Sequence, residues 1–202
     1  MDLKNFVNLG KSISQKNIYM IIGNGKKNQF KDLRKVKGIV NKICSEISDN
    51  SGLLYFGDAP DKYNPDVGYV FELISKIRKD ITIYMIQIKE AKEWGFPKFV
   101  NYVIWHSDYT DKCKWGGLEN NKPCSNTKKW VDLHKLNGIT KIFILGGGEI
   151  TLQEYYLLKK CKIKYQYYPV ERKYRGDGKT RITNDDKISV KIGITYGKIH
   201  NT

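Results

Sequence analysis

The chain lacks several features that would settle its class at once. Its four cysteines (Cys44, Cys113, Cys124, Cys161) are too few for a disulfide framework, and no CxxC pair occurs. A reducing interior is therefore the expected compartment. No apolar run approaches the ~20 residues of a membrane helix. The opening Met-Asp-Leu-Lys-Asn-Phe has no apolar stretch of a secretion signal. These absences exclude the membrane and secreted-miniprotein classes and predict an intracellular protein, cytoplasmic or carried in a virion. Arginine is scarce too: Arg34, Arg78, Arg172, Arg175 and Arg181 are all there are among 36 basic residues. A dedicated reader of DNA sequence, which relies on bidentate Arg contacts, is not expected to be so lysine-heavy.

What is present is an ordinary globular composition, 40% hydrophobic and 28% charged, in 202 residues. That length fits one domain with a sizeable core. The net charge is +15. Such a field favours anionic partners, nucleotides or nucleic acid; drift toward Lys, Asn and Ile accounts for it equally well. Both readings stand.

Short apolar runs alternate with amphipathic stretches, the pattern of βα units around a parallel sheet. Asn17–Gly23 reads as a buried strand. Phe30, Leu33, Val36, Val40, Ile43, Cys44 and Ile47 recur at three- and four-residue steps and predict one helix face, with Cys44 a small buried hydrophobe. Leu53–Phe56, Ile81–Ile88, Phe99–Trp105, Lys141–Leu145 and Ile163–Tyr168 read as further strands. Val67 to Ile77 and Leu152 to Lys160 read as helices. Residues 106–138 break the rhythm as an irregular insertion with a short helix at Lys128–Leu136, and a basic tail runs from about 170. The expected fold is a single Rossmann-like, doubly wound, mostly parallel sheet with helices on both faces.

In such a sheet ligands collect where strand ends lead into helix N-termini, whose free N–H groups attract anions. Three loops qualify: Gly23-Asn24-Gly25, Gly57-Asp58-Ala59-Pro60-Asp61, and Gly146-Gly147-Gly148-Glu149-Ile150-Thr151. Consecutive glycines let backbone approach a phosphate closely. Thr151 and Glu154 have the spacing of a capping box, so the last loop also makes sense as a turn with no ligand.

Gly146-Gly147-Gly148-Glu149-Ile150-Thr151-Leu152-Gln153-Glu154 resembles the PGGxGTxxE signature of lysine-decarboxylase-like, cytokinin-activating phosphoribohydrolases, within the SLOG superfamily of Rossmann-like proteins. Gly146 stands at the Pro and Ile150 at the last Gly. The resemblance implies phosphate contacts from Gly147, Gly148 and Thr151, and catalysis by Glu154. Asp66-Val67-Gly68-Tyr69-Val70-Phe71-Glu72 is similar to the DSGTxxE segment of nucleoside deoxyribosyltransferases, which implies a nucleophilic Glu72; otherwise Asp66 caps a helix and Glu72 faces solvent. Both resemblances imply N-glycosidic chemistry, in which a carboxylate stabilises positive charge growing on a ribose ring; Asp58, Asp61 and Glu72 are candidate helpers, since their loops are expected to converge at the same sheet edge. The implied ligand is a nucleotide or nucleotide sugar, with no cofactor and no membrane partner. Homo-oligomers fit this reading, and a silent nucleotide sensor or a basic nucleic-acid-associated or virion protein on the same fold competes with it.

Two further cues remain. His106, Cys113, Cys124 and His134 suit zinc chemically, but their spacing matches no compact metal site, so no metal is expected. The basic stretch Glu171–Arg181 reads either as a solvated loop or as a clamp for a phosphate or a nucleic-acid backbone, built on Arg172, Arg175 and Arg181. Gly178-Lys179-Thr180 within it lacks the leading glycine of a Walker loop, since Lys173 stands there.

Overall fold

The computed structural model describes residues 17–25, 28–56, 66–88, 96–106, 118–119, 122–123, 139–147, 151, 154–156, 158, 162–176 and 179–182. In chain order the elements are β1 (Ile18–Gly23), β2 (Asn28–Phe30), α1 (Leu33–Glu46), β3 (Gly52–Phe56), α2 (Val67–Ile77), β4 (Thr82–Ile88), β5 (Tyr102–His106), β6 (Leu118–Glu119), β7 (Lys122–Pro123), β8 (Ile139–Leu145), β9 (Tyr165–Tyr168), β10 (Arg172–Gly176) and β11 (Lys179–Ile182). Residues 151, 154–156 and 158 are also helical. The helix expected at Lys128–Leu136 lies outside the described residues.

β1 is apolar throughout and lies in the interior of a six-stranded sheet, order β5-β4-β3-β1-β8-β9. Every neighbouring pair in it is parallel. The chain steps outward from β1 through β3 and β4 to β5, then returns to β1's other side as β8 and continues to β9. This is the Rossmann-like α/β arrangement that the alternating pattern predicts.

Strand residues two apart share a face. On one face Tyr19, Ile21, Leu53, Tyr55, Ile83, Met85, Phe143 and Leu145 pack with Val36, Val40 and Ile43 of α1 and Val70, Phe71 and Ile74 of α2. Tyr168 belongs to that face and stacks on Phe143. Tyr165, three residues earlier, takes the other face and meets Tyr155 edge-on at 5.4 Å. The helical residues after 151 therefore cover the side opposite α1 and α2, as a doubly wound sheet requires. Both faces are buried, with Met20, Leu54, Ile142 and Ile144 filling the second.

α1 begins where Asp32 accepts hydrogen bonds from the backbone N–H groups of Arg34 (2.9 Å) and Lys35 (3.0 Å). Such a cap is worth about 1 kcal/mol. Phe30 therefore falls outside the helix. It sits in β2, buried and paired with Arg172. Cys44 lies on the buried face of α1, and burial pushes its thiol pKa up.

Two polar clusters tie elements together. Arg78, just past α2, donates to the carbonyls of Cys44 (2.6 Å) and Ile47 (2.9 Å) at the end of α1. It also grips Asp80 through Nε (2.8 Å) and Nη2 (2.7 Å) and reaches Asp49 at 2.8 Å. Asp80 accepts the Asn50 N–H as well, at 2.9 Å. Hydrogen bonds from Arg78 and then from the Asn50 backbone hold the Asp80 carboxyl far below the usual carboxylate range. Farther along α1, Glu46 accepts from Lys141 of β8 and from Tyr168 Oη at 3.0 Å. Burial opposes ionisation of Glu46, but the Lys141, Tyr168 and Gln166 hydrogen bonds and the Lys141 charge outweigh it, leaving its pKa lowered.

The stretch from Arg172 is not a solvated loop. β10 pairs antiparallel with β2 and with β11, giving a second sheet of order β11-β10-β2. Only Asp177 and Gly178 separate Gly176 from Lys179, and Asp-Gly is a favoured two-residue hairpin connection. A hairpin whose strands are mostly charged shows no apolar alternation, and for that reason it reads as loop.

Candidate functional site

Strand order places the crevice. Chain leaving β1 turns one way and chain leaving β8 turns the other, so the two crossovers diverge at the carboxyl ends of neighbouring strands, where open α/β sheets bind ligands. The register Gly23↔Leu145 brings Gly23-Asn24 beside Gly146-Gly147. Gly23 has no substitute there, because a Cβ would lie 2.2 Å from the Leu145 carbonyl oxygen.

Asn24 is the hub. Its N–H donates to Leu145 O at 3.1 Å, and its carbonyl accepts from Val67 N at 2.8 Å. One residue thus joins β1, β8 and the start of α2. Beside Val67, the buried Asp66 caps α2 by accepting the Gly68 N–H at 2.8 Å. The Asn24 side chain is 0% exposed. Among the described residues neither its Nδ2 nor its Oδ1 has a hydrogen-bond partner. The amide lies over Gly146, close enough that a Cβ there would meet Oδ1 at 2.8 Å and Val170 Cγ2 at the same distance. A buried, unpaired amide costs about 1–3 kcal/mol, so its presence calls for an explanation.

Around it, Thr151 is buried and donates its hydroxyl to Gly23 O at 3.1 Å. Its methyl side packs on Gly147, where a Cβ would fall 2.6 Å from Thr151 Cβ. Glu154 follows three residues later in the same helical stretch and is 6% exposed. The Gly146 N–H is spent on Tyr168 O at 3.0 Å. The glycine bend therefore engages β1, β9 and its own helix start. These contacts give the bend a structural role in joining the two strands.

The structure brings Gly23, Asn24, Gly146, Gly147 and Thr151 together, with Glu154 buried on the adjoining helical stretch. Gly25 is exposed, with open space around its Cα. Gly148, Asp58 and Asp61 lie outside the described residues. Glu72 lies along α2, where its carboxylate pairs with Lys76 at 2.7 Å. Arg172 and Arg175 are in β10, at register positions opposite Phe30 and Thr180. The first crossover departs from expectation: Asn24 leads into β2 before any helix, and the α1 N-terminus is filled by Asp32. Val170 escapes a sequence reading, since only the fold brings it against Gly146.

Of the residues weighed for zinc, His106 ends β5 and the other three lie outside the described residues. Among the described residues no cluster of three His, Cys, Asp or Glu stands ready to hold a metal. No helix among them is long and apolar enough to cross a membrane. No family model matches the chain, and no curated protein matches it either.

Proposed function

We propose that the crevice at the ends of β1 and β8 binds a nucleotide or an ADP-ribose-like derivative. The observation that carries this reading is the fully buried Asn24 amide, which offers one donor group and one acceptor and has no partner for either among the described residues. An amide of that kind matches the donor–acceptor edge of a nucleobase or carboxamide, which would repay its desolvation. The glycine signature at Gly146–Thr151 supports a phosphate nearby. The buried carboxylates Asp66 and Glu154 suit ribose hydroxyls or a sugar ring gaining positive charge.

A thermal-shift screen across nucleotides, NAD, ADP-ribose and cyclic nucleotides tests it. A ligand present at ~100 times its Kd adds about 2.7 kcal/mol, or roughly 5–10 °C in Tm for a chain of this size. The shift should vanish in Asn24→Leu. A panel that moves the parent by nothing would remove the proposal.

Cleavage or transfer at the N-glycosidic bond is the catalytic form of the same reading, with Glu154 as the carboxylate beneath the ribose. Glu154→Gln should then abolish release of free base from a nucleoside monophosphate while preserving the thermal shift. Equal base release by mutant and parent would remove Glu154 from that role, and no release by the parent would leave a silent sensor.

A further inference from the structure

The second sheet carries chemistry that the crevice does not use. Arg172, Lys173 and Arg175 stand in β10, and Lys179 and Arg181 in β11. No acidic residue interrupts either strand, and three of the chain's five arginines fall here. The register sets Tyr174 opposite Arg181 and Arg175 opposite Thr180. Among the described residues, β11 is an outer strand with no neighbour on its far side.

The hairpin is firmly rooted. β10 pairs with β2, the Lys31 N–H donates to Glu171 O at 3.1 Å, and Lys31 Nζ pairs with the Glu171 carboxylate. Val170, two residues before β10, packs at Gly146 on the crevice. The basic ribbon thus begins at the rim of the switch-point crevice and extends from it.

We infer that the β10–β11 hairpin is a sequence-independent docking ribbon for a polynucleotide backbone. Charge selects a polyanion. The composition selects nucleic acid over an acidic protein surface: protein interfaces centre on apolar anchors, whereas this ribbon offers cations with one tyrosine in register with an arginine. That pairing suits phosphates and the flat faces of bases. Two-stranded ribbons also fit the duplex major groove. The surface is separate from the crevice and does not depend on the ligand proposed there.

The test is fluorescence anisotropy of the full-length chain with one labelled 20-mer as single-stranded DNA, single-stranded RNA and duplex DNA, titrated with salt. At least one form should bind. The register puts Arg172, Lys179 and Arg181 on one face and Lys173 and Arg175 on the other; a single strand that engages both, at ~0.7 counterions per cation, gives a slope of log K against log salt of about −3.5. Substituting Arg172, Arg175 and Arg181 by Gln should weaken binding at least tenfold at 100 mM salt and reduce the slope by about 2. Lysine at the same positions should restore the slope. A control with the exposed Lys37, Lys42 and Lys98 changed to Gln removes equal charge elsewhere and should stay within threefold of the parent. Asn24→Leu should bind as the parent does. Failure of all three oligonucleotides, an equal loss in the lysine control, or a loss in Asn24→Leu would each overturn the ribbon assignment.

Discussion

Asn24 offers a test that needs no ligand. Asn24→Leu keeps the branching at Cγ and removes two buried polar atoms that have no partner among the described residues. The relieved desolvation is about 1–3 kcal/mol. Against it stands crowding: methyls are larger than the amide groups they replace, and Oδ1 already lies close over Gly146. Overpacking costs of this kind run to about 1 kcal/mol or more. The balance favours the variant by roughly 1 kcal/mol, about 2–4 °C in Tm. Urea unfolding should show a higher midpoint with an unchanged m-value. Asn24→Asp is the companion variant. It puts a carboxylate into the same unpartnered space near Asp66 and should lose at least ~2 kcal/mol at pH 7. If Leu and Asp behave alike, the Asn24 side chain meets water, and the argument for an occupied crevice fails.

Other expectations concern the frame. Arg78→Ala removes the guanidinium donors from the Asp80 carboxylate and from the Cys44 and Ile47 carbonyls and should cost about 1–2 kcal/mol by urea unfolding, the pair being partly exposed; no measurable loss would show that water substitutes for the guanidinium. Asp80 and Glu46 both titrate below their ordinary range in the folded chain. Their stabilisation is complete above the unfolded carboxylate pKa of ~4 and is lost as pH falls through the folded values. Urea midpoints at pH 7, 4.5 and 3 should fall in order, with the acid branch flatter in Asp80→Asn; an identical slope would place the acid sensitivity elsewhere. Gly23→Ala should fold poorly or not at all, because its Cβ would lie 2.2 Å from backbone; normal expression with a parental Tm would mean that β1 and β8 can separate.

Much of this architecture was legible because burial imposes periodicity. β1 is an unbroken apolar run, and the stripe Val36, Val40, Ile43 of α1 marks a helix face without any knowledge of its neighbours. Phe30 misled because it continues the α1 spacing by chance, while the cap that starts the helix is Asp32. The β10–β11 hairpin stayed hidden because its residues are charged and its partner β2 lies more than a hundred positions away. The site divides along the same line. Local sequence marks Gly146, Gly147 and Thr151 through backbone chemistry. That Asn24 is sealed against Gly146 and Val170, and joined to Val67, follows from strand order and register, which no local pattern encodes.

The pairing of β1 with β8 also governs how the chain comes to exist. Ile18 meets Ile139 across a ladder whose halves are about 120 residues apart, so at ~5–20 residues per second a ribosome needs roughly 6–24 seconds to deliver the second half. Throughout that interval one flank of the most apolar strand is an open template for foreign strands. High contact order of this kind slows spontaneous folding, and production of the protein should respond strongly to growth temperature and to holdase chaperones acting during translation.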